Sequence, residues 1–188
     1  MLSKRQNDIL NTVSKKLNIN PKHLKILINF ESKFNPKAKN PNSSARGLIQ
    51  FTNNTAQKLG YKNSLDLINK NPTIESQLIN PVYRYLNNLK PFKNANDLFL
   101  SVFYPAYRNK PINKKFPKIV RCYNPGINTP KDYIKKIYSS SRLKYVNPLL
   151  YFVGVSTILF IIYNNKKGEN KYGKTIKSGK RKTQNKTQ

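Results

Sequence analysis

Few side chains in this sequence are equipped for acid–base or nucleophilic chemistry, and one of them stands out by its position. The chain carries seven Asp and Glu residues against 36 Lys and Arg. Within residues 1–144 the acids are Asp8, Glu31, Asp66, Glu75, Asp97 and Asp132. Glu31 follows Leu27 and Ile28 at helical spacing, so on a helix it shares their apolar face. A carboxyl group on that face loses hydration, and near a helix C-terminus the dipole disfavours ionisation as well. Both effects keep the proton on near neutral pH, which is what a general acid needs in order to protonate a leaving oxygen. Helix position alone also allows a glutamate at the rim of the core that reaches Lys33 or solvent.

Other chemistries lack their residues. Cys122 is the lone cysteine and His23 the lone histidine, so neither a disulfide framework nor a Cys/His metal site is expected. No cofactor motif is present. A Ser-His-Asp triad would have to use His23, which follows Pro21 in a lysine-rich turn with no matching motif.

The residues C-terminal to Glu31 narrow the choice. The chain runs Glu31-Ser32-Lys33-Phe34-Asn35-Pro36, then Ser44-Ala45-Arg46-Gly47-Leu48-Ile49-Gln50-Phe51, then Thr55-Ala56 and Gly60. This order and spacing resemble the catalytic core of the soluble lytic transglycosylase family, which is related to goose-type lysozyme. In that family a helix ends in Glu-Ser, and a loop leads to Ala-x-Gly-Leu-(Met/Ile)-Gln. A helix with a Thr-Ala pair comes next. The resemblance is dense over about 30 residues and looser to residue 144. It implies a mostly α, lysozyme-like domain with Glu31 as catalytic acid and base and peptidoglycan glycan strands as substrate. Ser32 and Ser44 would hydrogen-bond near the acid, Gln50 would bind substrate, and the Gly47 backbone would let the glycan approach closely. Capping and turn roles for these residues remain open. The family's Ala-Tyr-Asn-Ala-Gly motif, whose tyrosine helps position the acid, has two counterparts. One is Phe103-Tyr104-Pro105-Ala106, where Pro stands for Asn and the final Gly is missing. The other is Cys122-Tyr123-Asn124-Pro125-Gly126. Tyr104 is preferred because it ends an apolar helix. Core packing is the plainer role for either tyrosine. Phe103-Tyr104-Pro105-Ala106 followed later by Asn124-Pro125-Gly126 also resembles phage-encoded members of this family.

Glycosidases usually pair two carboxylates, and none of the remaining acids lies in a motif near Glu31. The resemblance implies a reaction that needs one. Glu31 would protonate the oxygen between N-acetylmuramic acid and N-acetylglucosamine, then take the proton of the muramyl 6-hydroxyl, leaving a 1,6-anhydro end. A hydrolytic lysozyme, or a basic DNA-binding or membrane-anchoring virion protein with a decayed lysozyme fold, are the alternatives.

The elements that must position these groups are helical. Ser3 and Gln6 have capping-box spacing ahead of the stripe Ile9, Leu10, Val13 and Leu17. Asn20-Pro21 reads as an N-cap with a first-turn proline, opening a helix with Leu24, Leu27, Ile28 and Glu31 on one face. Gly60 ends a short helix over Thr55–Leu59. Asn71-Pro72 opens another, which Pro81 bends or breaks. An apolar helix is expected from about Asn96 to Tyr104, and Thr129-Pro130-Lys131-Asp132 starts the last, carrying Tyr133, Ile134, Ile137 and Tyr138. No strand pattern and no repeat is visible.

Composition divides the chain into a domain at 1–144, an uncharged segment at 145–165 and a basic tail at 166–188 with nine Lys and Arg and one acid. The tail has little to bury and is expected to be disordered. Leu149–Tyr163 is the most apolar run. As a helix it reaches about 22 Å, against a hydrocarbon layer of roughly 30 Å. The uncharged flanks, Tyr145, Tyr151 and Tyr163 at interfacial positions, and Lys166-Lys167 support a single transmembrane helix; a buried core helix is the alternative. The tail's charge favours the cytoplasmic side, leaving the domain facing the wall. The first ten residues are polar and charged and read as no secretory signal. A virion-delivered enzyme reconciles these features. The net charge of +29 suits non-specific contact with packaged DNA or with anionic wall polymers, and an A/T-rich genome would also enrich lysine.

Overall fold

The structure, a computed structural model, describes residues 2–142. They form helices α1 (Lys4–Leu17), α2 (Pro21–Ser32), α3 (Asn53–Lys58), α4 (Ser64–Lys70), α5 (Ile74–Gln77), α6 (Tyr83–Asn87), α7 (Ala95–Phe103), α8 (Lys118–Tyr123) and α9 (Pro130–Arg142). Among the described residues there is no strand; two isolated bridges, Lys39 to Arg46 and Arg46 to Phe51, tie one loop. The expected transmembrane segment at 145–165 and the tail at 166–188 lie outside the described residues. Among those described, no helix is long and apolar enough to cross a membrane.

Local signals fix most helix starts. Ser3 and Gln6 exchange capping-box hydrogen bonds at α1. The Asn20 side chain accepts from the Lys22 amide, and Pro21 occupies the first turn of α2, where its missing N–H costs nothing. At α9, Asp132 Oδ2 accepts from the amides of Asn128 and Thr129. Gly60, at φ +86°, follows the end of α3.

Some boundaries depart from expectation. Asn71-Pro72 does not open its helix. Thr73 does, as half of a capping box with Ser76, because the Thr hydroxyl reaches the third amide ahead of it. Pro81 does not end the helical run. The helix widens into a π turn over Leu78–Val82, which accommodates a residue with no N–H to donate, and continues as α6. Helices α4 and α8 carry too short an apolar pattern to stand out in the sequence.

The core gathers around α2. Leu24, Leu27 and Ile28 are fully buried, and α2 packs against both α1 and α9. Helix α7 closes the far side of α9 with Leu98, Phe99 and Phe103. The apolar face of α2 therefore ends, at its C-terminus, in the middle of the molecule.

Candidate active site

Glu31 occupies the next-to-last position of α2 and is 8% exposed, on the same face as Leu27 and Ile28. Its Oε1 accepts a hydrogen bond of 3.3 Å from the Tyr133 hydroxyl. Burial drives its pKa up to about 8, and the Tyr133 hydrogen bond offsets part of that rise by favouring the carboxylate. The carboxyl group is buried on the apolar face of α2 rather than reaching solvent from the rim of the core.

The tyrosine bonded to Glu31 is neither of the two that the motif suggested. Tyr133 comes from α9, where it shares the buried face with Ile134 and Ile137. Its ring stacks on Phe103 at 4.0 Å between centroids and meets Phe30 edge-on at 5.8 Å. These contacts hold the ring while its hydroxyl donates to Glu31. Burial and the neighbouring Glu31 charge push the Tyr133 hydroxyl well above the ordinary tyrosine range. Tyr104 instead follows α7 in extended backbone, its ring against Tyr107 and Phe116. Tyr123 is 41% exposed at the end of α8. Neither is bonded to Glu31. Pro105 ends α7 and starts a 3-10 turn, which carries Tyr104 toward a cleft rather than toward the acid.

The loop after Glu31 is held from within. Lys33 and Phe34 take left-handed backbone, which turns the chain off α2. Arg46 and Phe51 exchange backbone hydrogen bonds of 3.0 and 2.7 Å, closing a turn in which Gly47 has φ +78° and Gln50 φ +56°. Gln50 is buried and donates from Nε2 to the Gly47 carbonyl at 3.1 Å, so it braces its own turn. Ser32 is bonded back to the Ile28 carbonyl within α2. Ser44 accepts from the Asn53 amide, and its carbonyl accepts from the Ser64 hydroxyl, which pins the loop to α3 and α4. These local partners are the turn and capping roles that the sequence left open.

Gln77, which nothing in the sequence singles out, is the hub of this loop. Fully buried, it accepts from the Leu48 amide at 2.9 Å and donates to the carbonyls of Pro36 and Asn71 at 2.7 and 2.9 Å. A Cβ on Gly47 would lie 2.6 Å from Gln77 Oε1. The glycine is thus required by Gln77, whereas the family resemblance assigns its bareness to an approaching glycan. A buried glutamine opposite a glycine turn would have been the signal, but only the fold brings the two together.

Beside the acid lies a cleft of about 520 Å³, within the usual range for small-ligand sites. Glu31 does not line it. Tyr85 does, and burial together with the Glu31 charge pushes the Tyr85 hydroxyl up to about 12. The cleft walls are braced by Arg108. It makes a two-pronged ion pair with Asp97 at 2.7 and 2.9 Å and donates to the carbonyls of Leu89 and Pro91. That pair holds the Asp97 carboxyl below its ordinary range. Asp66 and Asp132 are likewise engaged at the first turns of their own helices. Among the described residues, Glu31 is the one carboxyl group whose proton is held up by burial.

Tyr133→Phe is expected to raise the Glu31 pKa further, because the hydroxyl favours the ionised form. The alkaline limb of the pH–rate profile should move up, while turnover falls by about tenfold or more through lost orientation. An unmoved limb would detach Tyr133 from the acid.

A family model described as "Transglycosylase SLT domain" matches residues 8–146, well over half of the chain and including every residue of the site. No curated protein and no solved structure matches the chain.

Proposed function

Because the chain belongs to the transglycosylase SLT-domain family, we propose that it is a peptidoglycan lytic transglycosylase that cuts the N-acetylmuramic acid–N-acetylglucosamine bond with Glu31 as its one catalytic acid and base. The observation that carries this reading is a buried carboxyl group at the end of α2 that has no cationic partner, unlike the buried Asp97, and whose pKa burial raises to about 8. In the first step Glu31 gives its proton to the glycosidic oxygen as the C1–O bond breaks, and the muramyl N-acetyl oxygen supports the cationic centre from within the substrate. In the second step the Glu31 carboxylate takes the proton of the 6-hydroxyl while that oxygen bonds to C1. The acid ends as it began, and no water is consumed. A second carboxylate is unnecessary, and the local partners of Asp66, Asp97 and Asp132 are consistent with that.

Purified peptidoglycan digested with the full-length chain should yield muropeptides ending in 1,6-anhydro-muramyl units, each lighter by one water than a reducing end in mass spectrometry. Reducing ends alone would make the protein a hydrolase of lysozyme type. The same reading has residues 145–165 cross a membrane once, with the domain on the wall side and the 166–188 tail on the cytoplasmic side. The uncharged run and the lysines after it support this. A phage virion that opens the wall during genome entry is the setting that best suits it. The net charge of +29 favours a second reading, a virion component that binds packaged DNA on a decayed lysozyme fold. Salt-sensitive DNA binding without wall cleavage would favour it.

A further inference from the structure

We propose that the cleft beside Glu31 receives a sugar bearing a carboxylate, that Lys58 recognises that carboxylate, and that this contact sets which of two alternating glycosidic bonds meets the acid. The inference rests on the wall-glycan reading and specifies its register.

The two walls of the cleft differ in chemistry. Tyr85, Tyr104 and Pro105 form an apolar side, suited to the carbon-bound faces of a sugar ring. Asn54 and Asn88 offer amides to hydroxyl and acetamido groups. Asn54 and Lys58 stand one helical turn apart on α3, on one face of it. No acidic side chain lines the cleft, and Lys58 is its one cationic residue. Lys70, by contrast, is paired with Asp66, and Arg108 with Asp97. Lys58 is exposed and forms no ion pair with any described residue, so its ammonium is a point charge available at the rim.

A wall glycan alternates two N-acetylated sugars of similar size. Its muramyl units alone carry a lactyl arm, which ends in a carboxylate or in a peptide stem with carboxylates of its own. Neutral amides and aromatic faces accept either sugar, so they leave the register open. A fixed positive charge separates the two, because the anionic arm gains an attraction that the other sugar cannot offer.

The test measures binding to the full-length chain carrying Glu31→Gln, so that no ligand is cut. The probes are a GlcNAc–MurNAc tetrasaccharide with free lactyl carboxylates and a neutral N-acetylglucosamine tetramer. Adding Lys58→Gln should weaken binding of the muramyl ligand by about fivefold, as for an exposed ion pair, and leave the neutral ligand unchanged. Lys58→Arg should restore the difference, and added salt should erase it. Equal losses on both ligands, or no loss on either, would overturn the proposal. Cleavage of peptidoglycan by the unmodified chain, assayed in parallel, keeps the two readings apart. Cleavage without charge discrimination defeats the register proposal alone, whereas discrimination without cleavage defeats the enzymatic one.

Discussion

Glu31→Gln is expected to cut turnover on purified peptidoglycan by about 10²–10⁴-fold while making the folded domain more stable in alkaline solution. The loss follows from chemistry: an amide of nearly the same shape has no proton to deliver. The gain follows from burial. Glu31 holds its proton up to about pH 8 in the folded chain, against an ordinary value of 4.5. The folded state therefore binds the proton more tightly than the unfolded one. Stability associated with this group is complete below 4.5, falls as pH rises toward 8, and then levels off. Above that range the buried carboxylate costs about 5 kcal/mol at most, and glutamine removes the cost. Melting temperatures of the two proteins should nearly coincide at low pH and separate progressively toward pH 8, with the variant higher. Activity of the unmodified enzyme should decline across the same upper range, as the acid of the first step ionises. A variant that still cleaves wall material, or one that is less stable at high pH, would remove Glu31 from the role assigned to it.

Glu31 was legible in the sequence because the signals for it are local. Its face is fixed by Leu27 and Ile28, one turn back, and helix-start signals such as Ser3 with Gln6 and Asn20 with Pro21 act over two or three residues. The partner of Glu31 was not legible. Tyr133 is 102 positions away and reads in α9 as one core aromatic among several. Motif spelling led to Tyr104 and Tyr123, but spelling carries no direction for a side chain. Pro105 turns the first toward the cleft, and the end of α8 leaves the second exposed. Gln77 was hidden for a related reason. Its three partners, at Pro36, Leu48 and Asn71, lie on separate stretches that only the π turn and the packing of α5 bring together.

That hub supports the second large effect, Gly47→Ala, expected to destabilise the domain by about 3–5 kcal/mol, a large share of ordinary domain stability. Two costs combine. At φ +78° an L side chain is strained by about 1–2 kcal/mol. The added Cβ would also stand 2.6 Å from Gln77 Oε1 and 3.2 Å from an Ile68 methyl carbon. Gln77 cannot yield cheaply. It is fully buried, and moving its head breaks hydrogen bonds to Leu48, Pro36 and Asn71, leaving polar groups without water. Gly60 is the internal control. Its φ of +86° is similar, yet nothing lies within 4 Å of an added Cβ, so Gly60→Ala should show the conformational cost alone. A double-mutant cycle isolates the contact. Once Gln77→Ala has emptied the space, Gly47→Ala should cost little more than Gly60→Ala does. Denaturation midpoints of the four variants measure this directly. Equal losses for Gly47→Ala with and without the Gln77 side chain would mean that backbone strain alone demands the glycine, and that Gln77 does not brace the loop leaving Glu31.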